Sequence, residues 1–163
     1  MNVLAHALLP MLLAAPLLPG ANLREYRLSA GVVAVCGALP DLLQPHLSLA
    51  ARYSSWSHTV FAFAGFTGVA LVLAWWPGLR AWRVLLGLAP LAYALHLASD
   101  GISGGIVWLY PVSGEVIGGR FVRYHWWWTI DAVLAVAALG VFWWWPAYRR
   151  NRAVPAARQE ILP

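Results

Sequence analysis

Long apolar runs alternate with short polar stretches along the chain. The runs cover residues 3–18, 28–43, 56–76, 81–98 and 126–145. A helix of about 20 apolar residues crosses the hydrocarbon core of a bilayer, so these runs approach or reach the length of membrane spans. The first run is short and interrupted by prolines, so the alternatives for it are a kinked, a tilted or an only partly inserted helix. The pattern predicts an all-α, polytopic membrane bundle with about five transmembrane segments.

Composition supports a membrane protein and excludes a water-soluble domain. Hydrophobic residues make up 61% of the chain and charged residues 10%, whereas soluble domains carry about 25% charged residues. The basic residues behind the net charge of +5 lie in short groups between the apolar runs. This arrangement is typical of membrane topology signals, so we expect lipid and not nucleic acid as partner. We expect one membrane domain at residues 1–146 and a basic polar tail at residues 147–163.

The arginines are divided unequally between the two sides of the predicted bundle. With five spans, one side holds only Arg52, Arg120 and Arg123. The opposite side holds Arg24, Arg27, Arg80, Arg83, Arg149, Arg150, Arg152 and Arg158. Because cytoplasmic loops are enriched in basic residues, this asymmetry predicts a cytoplasmic C-terminus and an N-terminus outside.

All histidines and aspartates fall at one end of the predicted helices, which the arginine count makes the outer end. The set consists of His6, Asp41, His46, His58, His96, Asp100, His125 and Asp131. His46 and His125 lie beside loops and are more easily explained as interfacial residues than as ligands. The one-sided distribution of the set favours a shared metal site over unrelated polar residues.

His96 and Asp100 are the centre of this set. They lie four residues apart and therefore share one face of a helix, and imidazole and carboxylate are typical zinc ligands. A buried histidine bonded to an aspartate would give the same spacing. Asp41, which follows a Leu-Pro pair, could cap a helix or a turn. Asp131 stands alone in an apolar helix and needs a cation, a proton or a metal.

Short motifs surround these residues in a defined order. They are Ala5-His6-Ala7-Leu8, Gly37-Ala38-Leu39-Pro40-Asp41, Trp56-Ser57-His58-Thr59, His96-Leu97-Ala98-Ser99-Asp100 with Gly105 and Tyr110-Pro111, and Ile130-Asp131. The ordered set resembles the membrane-bound metal-dependent hydrolase family, known for a LexA-regulated inner-membrane protein and distantly similar to zinc-dependent phospholipase C and P1 nuclease. The resemblance implies a helical bundle in a bacterial inner membrane that binds a metal and hydrolyses an ester or phosphoester. The matching positions, and so the candidate metal ligands, are His6, Asp41, His58, His96, Asp100 and Asp131.

Some positions depart from the family pattern. Leu43 stands where the motif L-P-D-x-D has its second aspartate, and Tyr53-Ser54 replace a His-Arg pair. Ser103 stands where the family has a threonine. The missing carboxylate and basic pair leave the number of metal ions and the activity open. A non-catalytic membrane partner with a structural or vestigial metal site is therefore an alternative function.

The leading hypothesis is metal-assisted hydrolysis of a lipid or lipid-linked substrate at the outer interface, with zinc as the first candidate ion and manganese or magnesium as others. His58, His96 and Asp100 are the first candidate ligands. Asp41 and Asp131 are candidates as ligand, as partner of a ligand or as general base, so they are the candidate catalytic residues.

Other polar residues near the predicted site have less specific roles. Ser57, Thr59 and Ser103 are candidates to orient ligands or substrate. Arg120 and Arg123 could hold an anionic head group or simply lie beside lipid phosphates. A transporter is disfavoured, because its ionisable residues would extend across the membrane and the inner halves of these helices are apolar.

Overall fold

The described chain is all-helical, as the apolar pattern predicts. A computed structural model describes residues 2–45 and 48–153, without the side chains of residues 49, 50 and 143–153. The α-helices are α1 (Val3–Ala14), α2 (Leu23–Leu43), α3 (Leu49–Arg52), α4 (Val60–Trp75), α5 (Arg83–Ser103) and α6 (His125–Ala153). Short 3-10 helices lie at Ala15–Leu17, Trp56–His58 and Pro77–Trp82. His46 and residues 154–163 of the predicted tail lie outside the described residues.

Three helical segments of the described chain are long and apolar enough to cross a membrane. They are Leu23–Leu43, Pro77–Ser103 and His125–Phe142. The other two predicted segments form shorter apolar helices, Val3–Leu17 and Val60–Trp75. The 12 residues of α1 rise about 18 Å at 1.5 Å per residue, less than the roughly 30 Å of a bilayer core. Five main helices are therefore present, but two of them are short for a full span.

Helix ends differ from the apolar runs where polar groups extend a helix. α2 begins before residue 28 because Asn22 caps it: the Asn22 side chain accepts a hydrogen bond from the Glu25 backbone at 3.0 Å. The Asn22 amide in turn donates to the Glu25 carboxylate at 2.8 Å, which completes a reciprocal cap. α5 runs beyond its apolar part to Ser103 and thus includes Asp100. α6 continues past Pro146 to Ala153.

Apolar side chains on the outside of the bundle are strongly exposed. Val69 and Val72 of α4 are 60% and 68% exposed, and Val133 and Val136 of α6 are 62% and 70% exposed. Many exposed apolar side chains of this kind are unfavourable in water. Lipid tails match them, which agrees with the membrane character of the sequence.

A glycine permits the close approach of α1 and α2. α1 packs against α2, α5 and α6, and α5 also packs against α2 and α4. A Cβ at Gly37 of α2 would lie 2.3 Å from the His6 carbonyl oxygen and 2.5 Å from Pro10 Cγ of α1. Any other residue at this position would therefore push the two helices apart, as expected where small residues mediate helix contacts in membranes.

The loop between α5 and α6 folds back over the end of α5. Ile106 and Ile117 pair in antiparallel fashion through backbone hydrogen bonds of 3.1 and 2.9 Å. Gly118 has a φ of 116°, and a Cβ there would lie 2.2 Å from the Gly101 carbonyl oxygen. Gly118 thus combines a left-handed backbone with a close contact, both of which require glycine. This clamp fixes the segment that leads to Arg120.

Gly37→Ala should destabilise the protein, because the added methyl group meets the His6 carbonyl in a packed helix interface. Overpacking of this kind costs about 1–3 kcal/mol, so the thermal midpoint in detergent should fall. Gly31→Ala, in the same helix, is the matched control, since a Cβ at Gly31 meets no atom within 4 Å. Equal midpoints for the two variants would contradict the close contact.

Candidate metal centre

Four buried side chains bring potential ligand atoms together at one end of the bundle. Asp41 lies at the end of α2, His58 in the 3-10 turn before α4, and His96 and Asp100 near the end of α5. One atom from each residue, an imidazole nitrogen or a carboxylate oxygen, lies within 4.8 Å of the other three. We call these residues the four-donor group. The alternating direction of the helices is what places the three segments at the same end.

The spacing of the donor atoms fits a small tetrahedral ion. The Nε2 atoms of His58 and His96 lie 3.1 Å apart, and each lies 3.3 Å from Asp100 Oδ2. Asp41 Oδ1 lies 3.3 Å from His58 Nε2 and 3.8 Å from His96 Nε2. Zinc bonds of about 2.0–2.1 Å in a tetrahedron separate neighbouring ligand atoms by about 3.3–3.4 Å. These five distances between donor atoms, four of 3.1–3.3 Å and one of 3.8 Å, are thus close to the edge lengths of such a tetrahedron.

The Nε2 atom of His96 is the lone-pair nitrogen of its neutral ring. Nδ1 of His96 lies 2.7 Å from the carbonyl oxygen of Gly37. A carbonyl oxygen only accepts hydrogen bonds, so Nδ1 must carry the proton and donate it. Nε2 of the neutral imidazole then has no hydrogen and faces the other members of the four-donor group. A partner that fixes the tautomer in this way is typical of histidine ligands in metal sites.

The same conclusion holds for His58. Its Nδ1 lies 2.8 Å from Ser55 Oγ and 3.2 Å from Ser57 Oγ. The Ser57 hydroxyl donates to the Pro40 carbonyl at 2.7 Å, and the Ser55 hydroxyl donates to Gln44 Oε1 at 3.0 Å. Because both hydroxyl protons are used, Nδ1 of His58 donates to the serines. Nε2 of the neutral ring is therefore again the lone-pair atom.

Positive charge is favoured at this place. His58 lies outside the helices that could cross a membrane. Burial opposes the charged form of its ring, but the contacts with Asp100 and Asp41 outweigh burial and raise the pKa of His58 above its ordinary value. Two carboxylates around two imidazoles stabilise a proton or a metal ion in the same way.

The two oxygens of Asp100 have different partners. Oδ2 faces the histidines of the four-donor group, whereas Oδ1 lies 3.0 Å from His6 Nε2 and 3.0 Å from Arg52 Nη1. His6 also stacks on His96, with ring centroids 3.9 Å apart. His6, a predicted metal ligand, is thus placed beside Asp100 and outside the four-donor group. The contacts of His6 and Arg52 with Oδ1 hold the carboxylate so that Oδ2 points at His58 and His96.

Asp131, the remaining predicted site residue, does not reach the four-donor group. It lies buried in α6 and accepts a hydrogen bond of 2.5 Å from the Asn2 amide. Its other oxygen, Oδ1, has no hydrogen-bond partner within residues 2–45 and 48–153. The neutral Asn2 amide therefore supplies one hydrogen bond, but not the cation, proton or metal that the sequence predicts for this carboxylate. Metal binding and catalysis by Asp131 stay predictions from the sequence.

Several residues of the site had no recognised signal in the sequence. Arg52, only 3% exposed, was counted as a loop charge but pairs with Asp100. Gln44 and Ser55 support His58, and the buried Tyr93 hydroxyl donates to the Ser57 carbonyl. Their types and spacing are ordinary for loops and helices, and only the position of His58 beside them would have suggested a role.

A cavity of about 940 Å³ opens beside the four-donor group. Asp41 and Arg52 line it and connect it to the buried donors. Arg120, Arg123 and His125 contribute from the segment before α6. Apolar residues that line the same cavity are Val3, Leu42, Val122 and Trp127. The cavity thus combines cationic and apolar walls next to a candidate metal centre.

Comparison with known protein families assigns the chain to a family of inner membrane proteins. Residues 1–158 match the family described as YdjM inner membrane protein. The chain belongs to this family. Neither a curated protein nor a solved structure matches the chain. Family membership and the candidate spans support an inner-membrane protein, and the four-donor group could hold a metal ion.

His96→Ala should abolish metal binding, because it removes one of the two lone-pair nitrogens at the centre of the four-donor group. We expect about one zinc ion per chain in the purified wild-type protein and substantially less in the variant, measured by elemental analysis. His125→Ala is the control, since His125 is exposed and lies outside the four-donor group. Unchanged zinc in His96→Ala, in a variant that remains monodisperse, would contradict the assignment.

Proposed function

We propose that this member of the YdjM inner membrane protein family is a metal-dependent hydrolase that cleaves an ester or phosphoester of a lipid or lipid-linked substrate. The observation that carries the proposal is the pair of imidazoles of His58 and His96. Their Nε2 atoms, each with a free lone pair, lie 3.1 Å apart beside the carboxylates of Asp41 and Asp100. A buried arrangement of this kind is unfavourable without a cation between the donors. A mixed nitrogen and oxygen donor set near a tetrahedron favours zinc, with manganese or magnesium as alternatives.

His58, His96, Asp100 and Asp41 are the residues that would hold the ion. A divalent ion in such a site supplies Lewis acidity, which makes water a stronger acid and polarises an ester or phosphoester oxygen. Asp100 is fully buried and held by His6 and Arg52, so it is suited to a fixed ligand role.

Asp41 is the carboxylate that links the four-donor group with the cavity. It lines the cavity and is 7% exposed, whereas Asp100 is 0% exposed. A substrate or water in the cavity can therefore approach Asp41 directly. We assign Asp41 the role of accepting a proton from the attacking water, in addition to its place among the donors.

The location of the site supports a lipid substrate. The loop that covers this end of the bundle carries strongly exposed apolar side chains, with Val112 at 78%, Phe121 at 79% and Tyr124 at 76%. Such residues fit the interface between lipid and water. We propose that this end faces outward and that the C-terminus faces the cytoplasm, as the distribution of arginines predicts.

One observation favours a second candidate function. Four protein donors complete a tetrahedron, and structural zinc sites are closed in this way, whereas catalytic sites keep an open position. A non-catalytic membrane partner with a structural metal would use the same four-donor group. Hydrolysis measurements distinguish the two functions, because both require metal and only one requires turnover.

Asp41→Asn should retain a folded protein and lose hydrolysis, because an amide neither accepts a proton nor supplies a negative donor. General-base catalysis contributes about 10²–10⁴-fold, so turnover of fluorogenic carboxylic and phosphoric esters by the zinc-loaded protein should fall by that order. Glu115→Gln, at an exposed loop carboxylate, is the matched control. Asp131→Asn in the same assay tests the predicted catalytic role of Asp131.

Zinc-loaded wild-type protein without turnover on either ester class would support the structural metal site instead. Equal turnover in wild type and Asp41→Asn would remove Asp41 from the mechanism.

A further inference from the structure

The cationic wall of the cavity carries an inference about the substrate, which rests on the proposed hydrolase function. Carboxylic esters are neutral at the reacting group, whereas phosphoric esters carry negative charge. The charges that face the substrate therefore distinguish the two classes. Arginines bind phosphate with two parallel hydrogen bonds, which makes them the typical side chains for this group.

Three arginines line the cavity, but they are not equivalent. Arg52 is buried, and its guanidinium lies 3.0 Å from Asp100 Oδ1, so its charge is balanced within the protein. Arg120 and Arg123 are exposed at the cavity wall. Among the described side chains, no ion-pair partner faces either of these two arginines. Their charges are therefore available to a ligand in the cavity.

The position of Arg120 is defined by the backbone. The backbone of Ser103, at the end of α5, pairs with the backbone of Arg120 in antiparallel fashion. The amide of the neighbouring Phe121 donates to the Ile102 carbonyl at 3.0 Å. Gly118 allows the chain to pass close to Gly101 just before this point. Arg120 thus belongs to a segment fixed on the same helix that supplies His96 and Asp100. A cationic residue on a backbone segment of defined position is better suited to binding a ligand than one on a free loop.

Apolar side chains also line the cavity. Leu42, Val122 and Trp127 line it together with the arginines. A ligand that fills this space pairs an anionic group with an apolar part. We infer that the cavity binds a phosphate ester, with the phosphate at Arg120 and Arg123 beside the four-donor group. The source of that chemistry is either a lipid head group or a soluble phosphate ester.

The test compares Arg120→Gln/Arg123→Gln with wild type and with Arg80→Gln, full-length and purified in detergent. Arg80 is exposed in the 3-10 turn before α5, at the opposite end of the bundle. Binding of dihexanoyl phosphatidic acid, of dihexanoylglycerol, which lacks phosphate, and of inorganic phosphate is measured by calorimetry. Zinc content is determined for each preparation.

We expect phosphatidic acid to bind wild type and Arg80→Gln equally, and the double variant at least about tenfold more weakly, because charged hydrogen bonds are lost. Dihexanoylglycerol should bind wild type much more weakly than phosphatidic acid. Inorganic phosphate that competes with phosphatidic acid would identify the phosphate group alone as sufficient. Phosphatidic acid that binds without such competition would identify the lipid as the source, and both results support the inference.

Equal affinity of the double variant and Arg80→Gln for phosphatidic acid would overturn the inference, as would equal binding of dihexanoylglycerol and phosphatidic acid by wild type. Zinc content separates this failure from that of the proposed function. If the zinc-loaded protein hydrolyses esters but does not bind phosphate, the phosphate site is contradicted and the proposed hydrolase function is supported. If the protein takes up no zinc but binds phosphate through Arg120 and Arg123, the metal-dependent mechanism is contradicted and the anion site is supported.

Discussion

The convergence of two imidazole lone pairs and two carboxylates in a buried space is the constraint on which the site depends. Four electron-rich groups within 4.8 Å repel one another unless positive charge lies between them. The surrounding contacts all serve to keep the donors in this arrangement. The Gly37 carbonyl fixes His96, two serine hydroxyls fix His58, and the neighbours of Asp100 Oδ1 fix that carboxylate.

Gly37 couples helix packing to this chemistry. Its missing side chain allows α1 to approach α2, which brings His6 onto the ring of His96. Its carbonyl accepts the Nδ1 proton of His96 from α5. The same residue therefore joins three helices and sets the tautomer of one donor. Stability of the bundle and geometry of the four-donor group are consequently not separable at this position.

Hydrophobic pattern and residue spacing predicted much of this molecule, because both depend on local geometry. The five apolar runs form the main helices, and the four-residue spacing of His96 and Asp100 places both in the four-donor group. Which distant residue completes a buried group depends on tertiary packing. For Asp131 the sequence predicts a cation, a proton or a metal, and it could not show that the Asn2 amide donates to this carboxylate. The start of α2 was missed because its polar cap has no apolar pattern.

Arg52 shows why a count of charges mixes topology with function. The sequence assigned Arg52 to the outer loops with Arg120 and Arg123, yet its guanidinium is buried against Asp100. A buried, paired arginine is part of the fold and adds little to the charge of a loop. Setting it aside makes the predicted asymmetry between the two sides steeper. The two arginines that remain on the side with fewer charges both line the cavity, which is where the inferred phosphate would lie.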